Sequence, residues 1–202
     1  MESVHETQFI YRALLDSIAY PGTVRDIRTA ILNLNPASAA GFCPAAAGIA
    51  LTLLDGEVGH AVRMKDSSEL SDYVRRMTFS PAVPLNKADY VFADGDMSAE
   101  EIIALSADVK CGTHEAPDLG ATLFIKVETL GDETARGRRL TLSGPGIETE
   151  KDCIISGLSP EWLAEREKMN AEYPVGIDLF LFTGKGDIIA LPRTAKIKEV
   201  DR

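Results

Sequence analysis

Asp178 and Arg193 are the pair of residues in this sequence best suited to chemistry. A guanidinium grips a carboxylate or a phosphorus oxyanion through two parallel hydrogen bonds, and an aspartate beside it can fix its orientation. The two residues bracket two apolar runs, Leu179 to Phe182 and Ile188 to Leu191, joined by Gly184-Lys185-Gly186-Asp187. That pattern predicts a β-hairpin. A two-residue turn at Lys185 and Gly186 places Asp178 opposite Arg193 at its open end. The same register puts Phe180, Phe182, Ile189 and Leu191 on one face, and Ile177, Leu179, Leu181, Ile188 and Ala190 on the other. Both faces are apolar, so the hairpin belongs in a sheet covered on two sides. An opposed Asp and Arg at the rim of such a sheet is either a structural clasp or the edge of an anion site.

A second candidate is the turn Ser143-Gly144-Pro145-Gly146-Ile147, which follows a predicted strand. The backbone N–H groups of Gly144 and Gly146 could cradle an anion, although Pro145 donates nothing and a tight turn chosen for its geometry is the simpler account of the glycines. Cys111-Gly112-Thr113-His114 has a metal-like spacing but no second ligand pair elsewhere, so no metal site is expected. There is no nucleophile elbow, Walker loop or dinucleotide glycine pattern. Lys126 lies in a strand with nothing around it to mark a Schiff-base lysine.

The elements that would position these groups follow from periodicity. Residues 6–19 read as a helix with Ile10, Leu14 and Ile18 on one stripe, stopped by Tyr20-Pro21-Gly22. A short strand is expected near residues 23–27 and a loop over 35–44. A buried helix follows over 45–54, then a strand at 59–64. Asp66 with Glu69 predicts an N-capped helix whose apolar face is Leu70, Tyr73, Val74 and Met77. Strands are predicted at 88–93, 121–128 and 139–143, and helices at 99–107, behind the capping box Ser98 to Glu101, and from Ser159-Pro160-Glu161 to about residue 171. A polar loop rich in Asp132, Glu133, Arg136 and Arg138 separates two of the strands. The order predicts one α/β domain over residues 1–202, a mixed sheet sandwiched by helices.

Composition narrows the partners. The 202 residues carry a net charge of −10, which disfavours nucleic acid and anionic membranes. No run approaches the roughly 18 apolar residues of a membrane span. The acidic start, Met1 to Thr7, has no signal-peptide core. The three cysteines, odd in number and widely spaced, fit reduced thiols, and a cytoplasmic location is expected.

Five segments, taken together, resemble a known family. They are Tyr20-Pro21-Gly22, Gly120-Ala121-Thr122-Leu123, Ser143 to Ile147, Tyr173-Pro174-Val175-Gly176-Ile177-Asp178 and Leu191-Pro192-Arg193-Thr194. In order and spacing they are similar to the H subunits of the bacterial carbon–phosphorus lyase system, the PhnH family, over nearly the whole chain. Residues 132–139 are longer and more charged than that pattern. The resemblance implies a three-layer α/β/α sandwich related to pyridoxal-phosphate-dependent transferases that does not use the cofactor. It implies action with the G, I and L subunits in transferring ribose triphosphate from ATP to a phosphonate with displacement of the base. It also implies membership of a core complex with the J subunit, whose iron–sulfur chemistry breaks the carbon–phosphorus bond, and with K.

On the matched positions, Asp178, Arg193, Thr194, Gly144 and Gly146 are expected to converge on a small concave ligand site, with no cofactor and no metal. Two other readings stay open: an adaptor that binds no substrate, and an independent transferase, for which no nucleophile–base pair is evident. A homodimer is expected of the isolated protein, with Phe42, Phe79, Met97 and Trp162 as contributors to its apolar surface.

Overall fold

The computed structural model describes residues 2–35, 41–131, 134 and 136–200. The chain runs α1 (Glu2–Ala19), β1 (Arg25–Asp26), α2 (Arg28–Leu34), α3 (Pro44–Leu53), β2 (His60–Arg63), α4 (Ser67–Thr78), β3 (Tyr90–Asp94) and α5 (Ala99–Asp108). It continues with β4 (Thr122–Val127), β5 (Thr129–Leu130), β6 (Arg138–Ser143), β7 (Lys151–Ser156), α6 (Glu161–Met169), β8 (Asp178–Thr183), β9 (Asp187–Leu191) and β10 (Lys196–Val200). The fold is α/β. A six-stranded mixed sheet is ordered β1-β9-β8-β4-β3-β2, with β2, β3, β4 and β8 parallel, β9 antiparallel to β8, and β1 antiparallel to β9. A separate antiparallel sheet is ordered β10-β6-β7-β5.

The central strands are apolar on both sides because both faces are covered. One face carries Val62, Phe92, Phe124, Phe180 and Phe182, packed beneath α1, α2, α3 and α4. Phe92, Phe124 and Phe180 share one register across β3, β4 and β8, and their rings stack at 5.2 and 4.9 Å. Such offset contacts add to the simple area term. The other face, with Val91, Leu123, Ile125, Leu179 and Leu181, meets α5, α6 and the inner residues Leu140, Leu142, Cys153 and Ile155 of the second sheet. Part of one face of the mixed sheet is thus covered by a second sheet, which the sequence reading did not contain.

α3 is buried on every side from Ala45 to Ala50. Its alanines and Gly48 let it lie close to Ile10 and Ile31, and a methyl group on Gly48 would sit 3.4 Å from the Ile10 side chain. At α5 both halves of the predicted capping box are formed. At α4 the expected cap is replaced: the Asp66 carboxylate accepts the Cys43 N–H at 2.7 Å, tying α4 to the start of α3, and Met77 is exposed.

The hairpin register differs from expectation by one residue. Leu179 pairs with Leu191 and Phe182 with Ile188. The loop is three residues long, Gly184 to Gly186, closed by Gly186 N–H to Thr183 O at 3.0 Å, with Gly186 at φ 106°. This is the turn-plus-left-handed-residue geometry of a three-residue hairpin. One extra loop residue reverses the face of every β9 side chain, so Ile189 and Leu191 lie with Leu179 and Leu181, and Ile188 and Ala190 with the phenylalanines.

Of the residues expected on an apolar surface, Phe42 and Trp162 are core and Met97 is packed against the core, while Phe79 is 80% exposed. An exposed apolar stripe lies on α1: Val4, Tyr11, Leu15 and Ile18, flanked by Phe9. The predicted loops at 35–44 and around Asp132 and Glu133 lie partly outside the described residues. No helix among those described is long and apolar enough to cross a membrane, and Cys43, Cys111 and Cys153 are free thiols.

Candidate functional site

β9 ends at Leu191, and Pro192, which has no N–H to continue a ladder, opens the turn Pro192-Arg193-Thr194-Ala195, closed by Ala195 N–H to Pro192 O at 2.9 Å. In the observed register Pro192, not Arg193, falls opposite Asp178. Arg193 nevertheless reaches back. Its backbone N–H donates to Asp178 Oδ1 at 2.8 Å, and its Nε and Nη2 donate to Oδ2 at 3.2 and 2.9 Å. Nη1 donates to the carbonyls of Pro117 and Pro174 at 2.8 and 3.1 Å. One guanidinium thus fastens the start of β8, the turn before β4 and the segment before β8. The side chains of Arg193 and Asp178 are 14% and 28% exposed.

Two glycines make room for this clasp. A Cβ on Gly120 would stand 2.2 Å from the Gly176 carbonyl and 3.1 Å from Arg193 Nη2. Gly176, at φ 144°, has no space on its other side, because a Cβ there would stand 2.2 Å from Asn170 Oδ1. That oxygen accepts the Ile177 N–H at 2.7 Å, which sets the angle at which the chain enters β8.

A second arginine, absent from the sequence reading, supports the same turn. Arg166, on the buried side of α6, donates Nε to Leu191 O at 3.4 Å and Nη2 to Pro192 O and, at 3.0 Å, to Ala195 O. It is 5% exposed. Burial draws its pKa down to about 10, partly opposed by the nearby Asp178 carboxylate, so it stays charged at neutral pH. The only sequence signal was an arginine four residues after Trp162, on the same helical face.

The expected site is assembled in part. Asp178 lies behind Arg193, and Thr194 is exposed at the tip of the turn. Gly144, at φ 133°, backs onto the Thr194 carbonyl, which a Cβ would approach to 2.9 Å. Gly146, at φ 81°, is pressed instead against the end of α1, where a Cβ would meet the Ala19 carbonyl at 2.2 Å. Its conformational freedom serves that close approach. The turn joins helix and sheet rather than lying open to a ligand, and Pro145 is its part that faces the neighbouring groove.

That groove, of about 1000 Å³, runs between α6 and residues 193–199. Arg193, Arg166, Thr194 and Lys196 line it along with the apolar Leu163 and Ile197. A smaller hollow of about 330 Å³ lies against α4, where Glu69 and Asp72 balance Arg75 and Arg76.

Other reactive groups are arranged as structure. Cys111 donates weakly to Val109 O, and burial raises its thiol pKa. His114 is exposed beside Glu172. Among the described residues no three His, Cys, Asp or Glu side chains group as a metal would require. At the carboxyl ends of β3 and β4, Asp94 accepts the Lys65 N–H at 2.8 Å and faces Lys126 at 3.8 Å. His60 does form a serine–histidine pair, its Nδ1 2.9 Å from Ser80 Oγ and its Nε2 3.0 Å from Ser71 Oγ. Ser80 Oγ gives its hydrogen to Val58 O, so Nδ1 is the protonated nitrogen and Nε2 accepts from Ser71. His60 and Ser80 are both fully buried, out of a substrate's reach.

With this geometry in view, similarity to known proteins is informative. The model of a family described as bacterial phosphonate metabolism protein (PhnH) matches residues 1–198. The protein named C-P lyase subunit HtxG from Stutzerimonas stutzeri is 32% identical over 190 residues, covering 94% of this chain and 85% of that protein. The alpha-D-ribose 1-methylphosphonate 5-triphosphate synthase subunit PhnH of Rhizobium meliloti (strain 1021) is 30% identical over 200 residues, covering 98% and 92%.

Proposed function

The chain belongs to the bacterial phosphonate metabolism (PhnH) family, and on that premise we propose that it is a subunit of a carbon–phosphorus lyase assembly in phosphonate catabolism. Its specific task in this reading is to take part in transferring ribose triphosphate from ATP to a phosphonate. The observation that carries the proposal is similarity along nearly the full length of two relatives that are both named as subunits of such systems.

The partners in this reading are the G, I and J subunits, with L and K, in the cytoplasm. The chain acts as one α/β domain over residues 1–202, a three-layer sandwich of the kind found in pyridoxal-phosphate-dependent transferases but without the cofactor. When isolated it pairs with a second copy, for which the apolar stripe of Val4, Tyr11, Leu15 and Ile18 provides a surface.

The ligand end of the groove is the Arg193–Thr194 turn. Thr194 donates its hydroxyl to a phosphate or phosphonate oxygen, and Arg193 supplies charge and the Nη2 hydrogen not given to Asp178. Asp178 orients the guanidinium, and Gly144 and Gly146 hold the neighbouring turn in place. The serine–histidine pair described is sealed in the core, which favours a subunit contributing to a shared site over an independent transferase. One observation favours the alternative adaptor role: nearly all of Arg193's donors are committed within the chain.

Growth on methylphosphonate as sole phosphorus source separates the two. Thr194→Val removes a hydroxyl from an exposed position and leaves the clasp intact. Loss of growth with normal co-purification of the other subunits supports the ligand site, and normal growth leaves the adaptor.

A further inference from the structure

β10 is the outermost strand of the second sheet, paired to β6 on one side only. In an antiparallel edge strand alternate residues turn both N–H and C=O away from the sheet. Among the described residues no strand takes up that edge. The edge does not simply face solvent: β10 forms one wall of the groove of about 1000 Å³, and α6 forms the other. The α6 wall presents Leu163 and Ala164, and the strand wall presents Ile197. A groove between a free strand edge and a helix can accept an extended peptide, with main-chain bonds to the edge and side-chain contacts to the helix.

Charge selects the occupant. The chain as a whole is strongly acidic, at −10, yet this groove gathers Arg166, Arg193, Lys196 and Lys198. Glu167 and Glu199 also line it; Glu199 is paired with Arg138 on β6 and Arg193 with Asp178, so Arg166, Lys196 and Lys198 against Glu167 leave the groove net positive. Lysines on an edge strand discourage promiscuous pairing with neutral strands. They also favour a strand that brings carboxylates, since opposite charges directly across a pair are stabilising.

We infer that this groove receives an extended acidic segment of a partner subunit, which adds a strand to the second sheet beside β10 and beneath α6. The five residues of β10 offer roughly 17 Å of edge at the usual rise per residue. Carboxylates of the incoming strand meet Lys196 and Lys198, and its apolar side chains rest on Leu163 and Ile197. The strand also covers the approach to Thr194, so the ligand end of the groove is complete only in the assembly. The inference rests on the subunit reading for the partner's identity and on the free edge for the mode of binding.

Hydrogen exchange on the isolated chain and on the assembly co-purified with the remaining lyase subunits tests it. Exchange at the outward amides of Lys196–Val200 should slow by about tenfold or more in the assembly. Ala164→Trp fills the groove from an exposed helix position, and the double variant Lys196→Glu with Lys198→Glu reverses its charge. Each should reduce recovery of the assembly by about tenfold while the unfolding midpoint of the isolated chain stays unchanged. Unchanged exchange at β10 in an intact assembly overturns the strand and leaves the subunit reading standing, as does wild-type recovery with Ala164→Trp. Protection of β10 by ATP added to the isolated chain assigns the groove to a nucleotide and also overturns it. If the wild-type chain recovers no partner, both readings fall.

Discussion

Asp178 accepts the side chain of Arg193 on one carboxylate oxygen and the backbone N–H of the same arginine on the other. The carboxylate thereby fixes both where the turn after β9 begins and where its guanidinium points. With the pair mostly withdrawn from water, removing one partner strands the other's charge. Asp178→Ala should therefore lower unfolding free energy by about 3 kcal/mol, measured by urea denaturation. Arg193→Lys, which cannot hold Asp178 and the Pro117 and Pro174 carbonyls together, should cost about 2 kcal/mol.

Arg166 serves the same turn with a different currency of partner, main-chain carbonyls. Arg166→Met keeps the apolar stem but takes the guanidinium from the Leu191 and Ala195 oxygens and leaves the Pro192 oxygen with only the Ala195 N–H. A loss of about 2–4 kcal/mol is expected in the same assay. A variant of wild-type stability would show that water replaces the guanidinium without penalty.

Gly176→Ala and Gly184→Ala form a matched pair. The first adds a methyl group at φ 144° against Asn170 and should destabilise by more than about 2 kcal/mol. The second meets nothing within 4 Å and should change stability by less than about 1 kcal/mol. Thermal midpoints of the two variants decide it.

Burial holds the His60 imidazole below its ordinary value of 6.5. Above that value folded and unfolded chains are both neutral at this site, and its stability contribution is complete. Below it the unfolded chain takes up a proton that the folded chain resists, so stability falls with pH until the lower folded-state value is passed. Urea midpoints measured from pH 7.5 down to 5 should decline more steeply for the wild type than for His60→Gln.

Ser98→Ala removes the hydroxyl that accepts the Glu101 N–H at the start of α5, while the backbone N–H of residue 98 can still donate to the Glu101 carboxylate. A loss of about 1 kcal/mol is expected. The effect should appear equally in thermal and urea unfolding.

The central strands and α3 were legible because their apolar runs are long and their neighbours leave few alternatives. The Asp178–Arg193 contact was legible even though the register was wrong by one, because an arginine side chain spans the difference. Arg166 was not, since its partners are carbonyls, which every residue possesses. The second sheet was hidden for a similar reason. Lys151-Asp152-Cys153-Ile154-Ile155-Ser156 and Lys196-Ile197-Lys198-Glu199-Val200 are short and half polar, and become strands through pairing with β6 rather than through their own pattern. Gly146 was placed in a ligand site from its turn chemistry, but its tight contact with Ala19 lies across a helix end that spacing alone does not bring near.

β4 and β8 are hydrogen-bonded neighbours, yet the chain between them builds three strands of the second sheet and α6 before returning. After β9 it leaves the first sheet again to supply β10. The two sheets are stitched by one thread that crosses between them three times. During synthesis β6 must wait, one side unpaired, until the first sheet's last strand has emerged and β10 follows it. The groove therefore exists only once β10 has come back to β6, and a partner strand that docks beside β10 would recognise only chains in which that pairing is made.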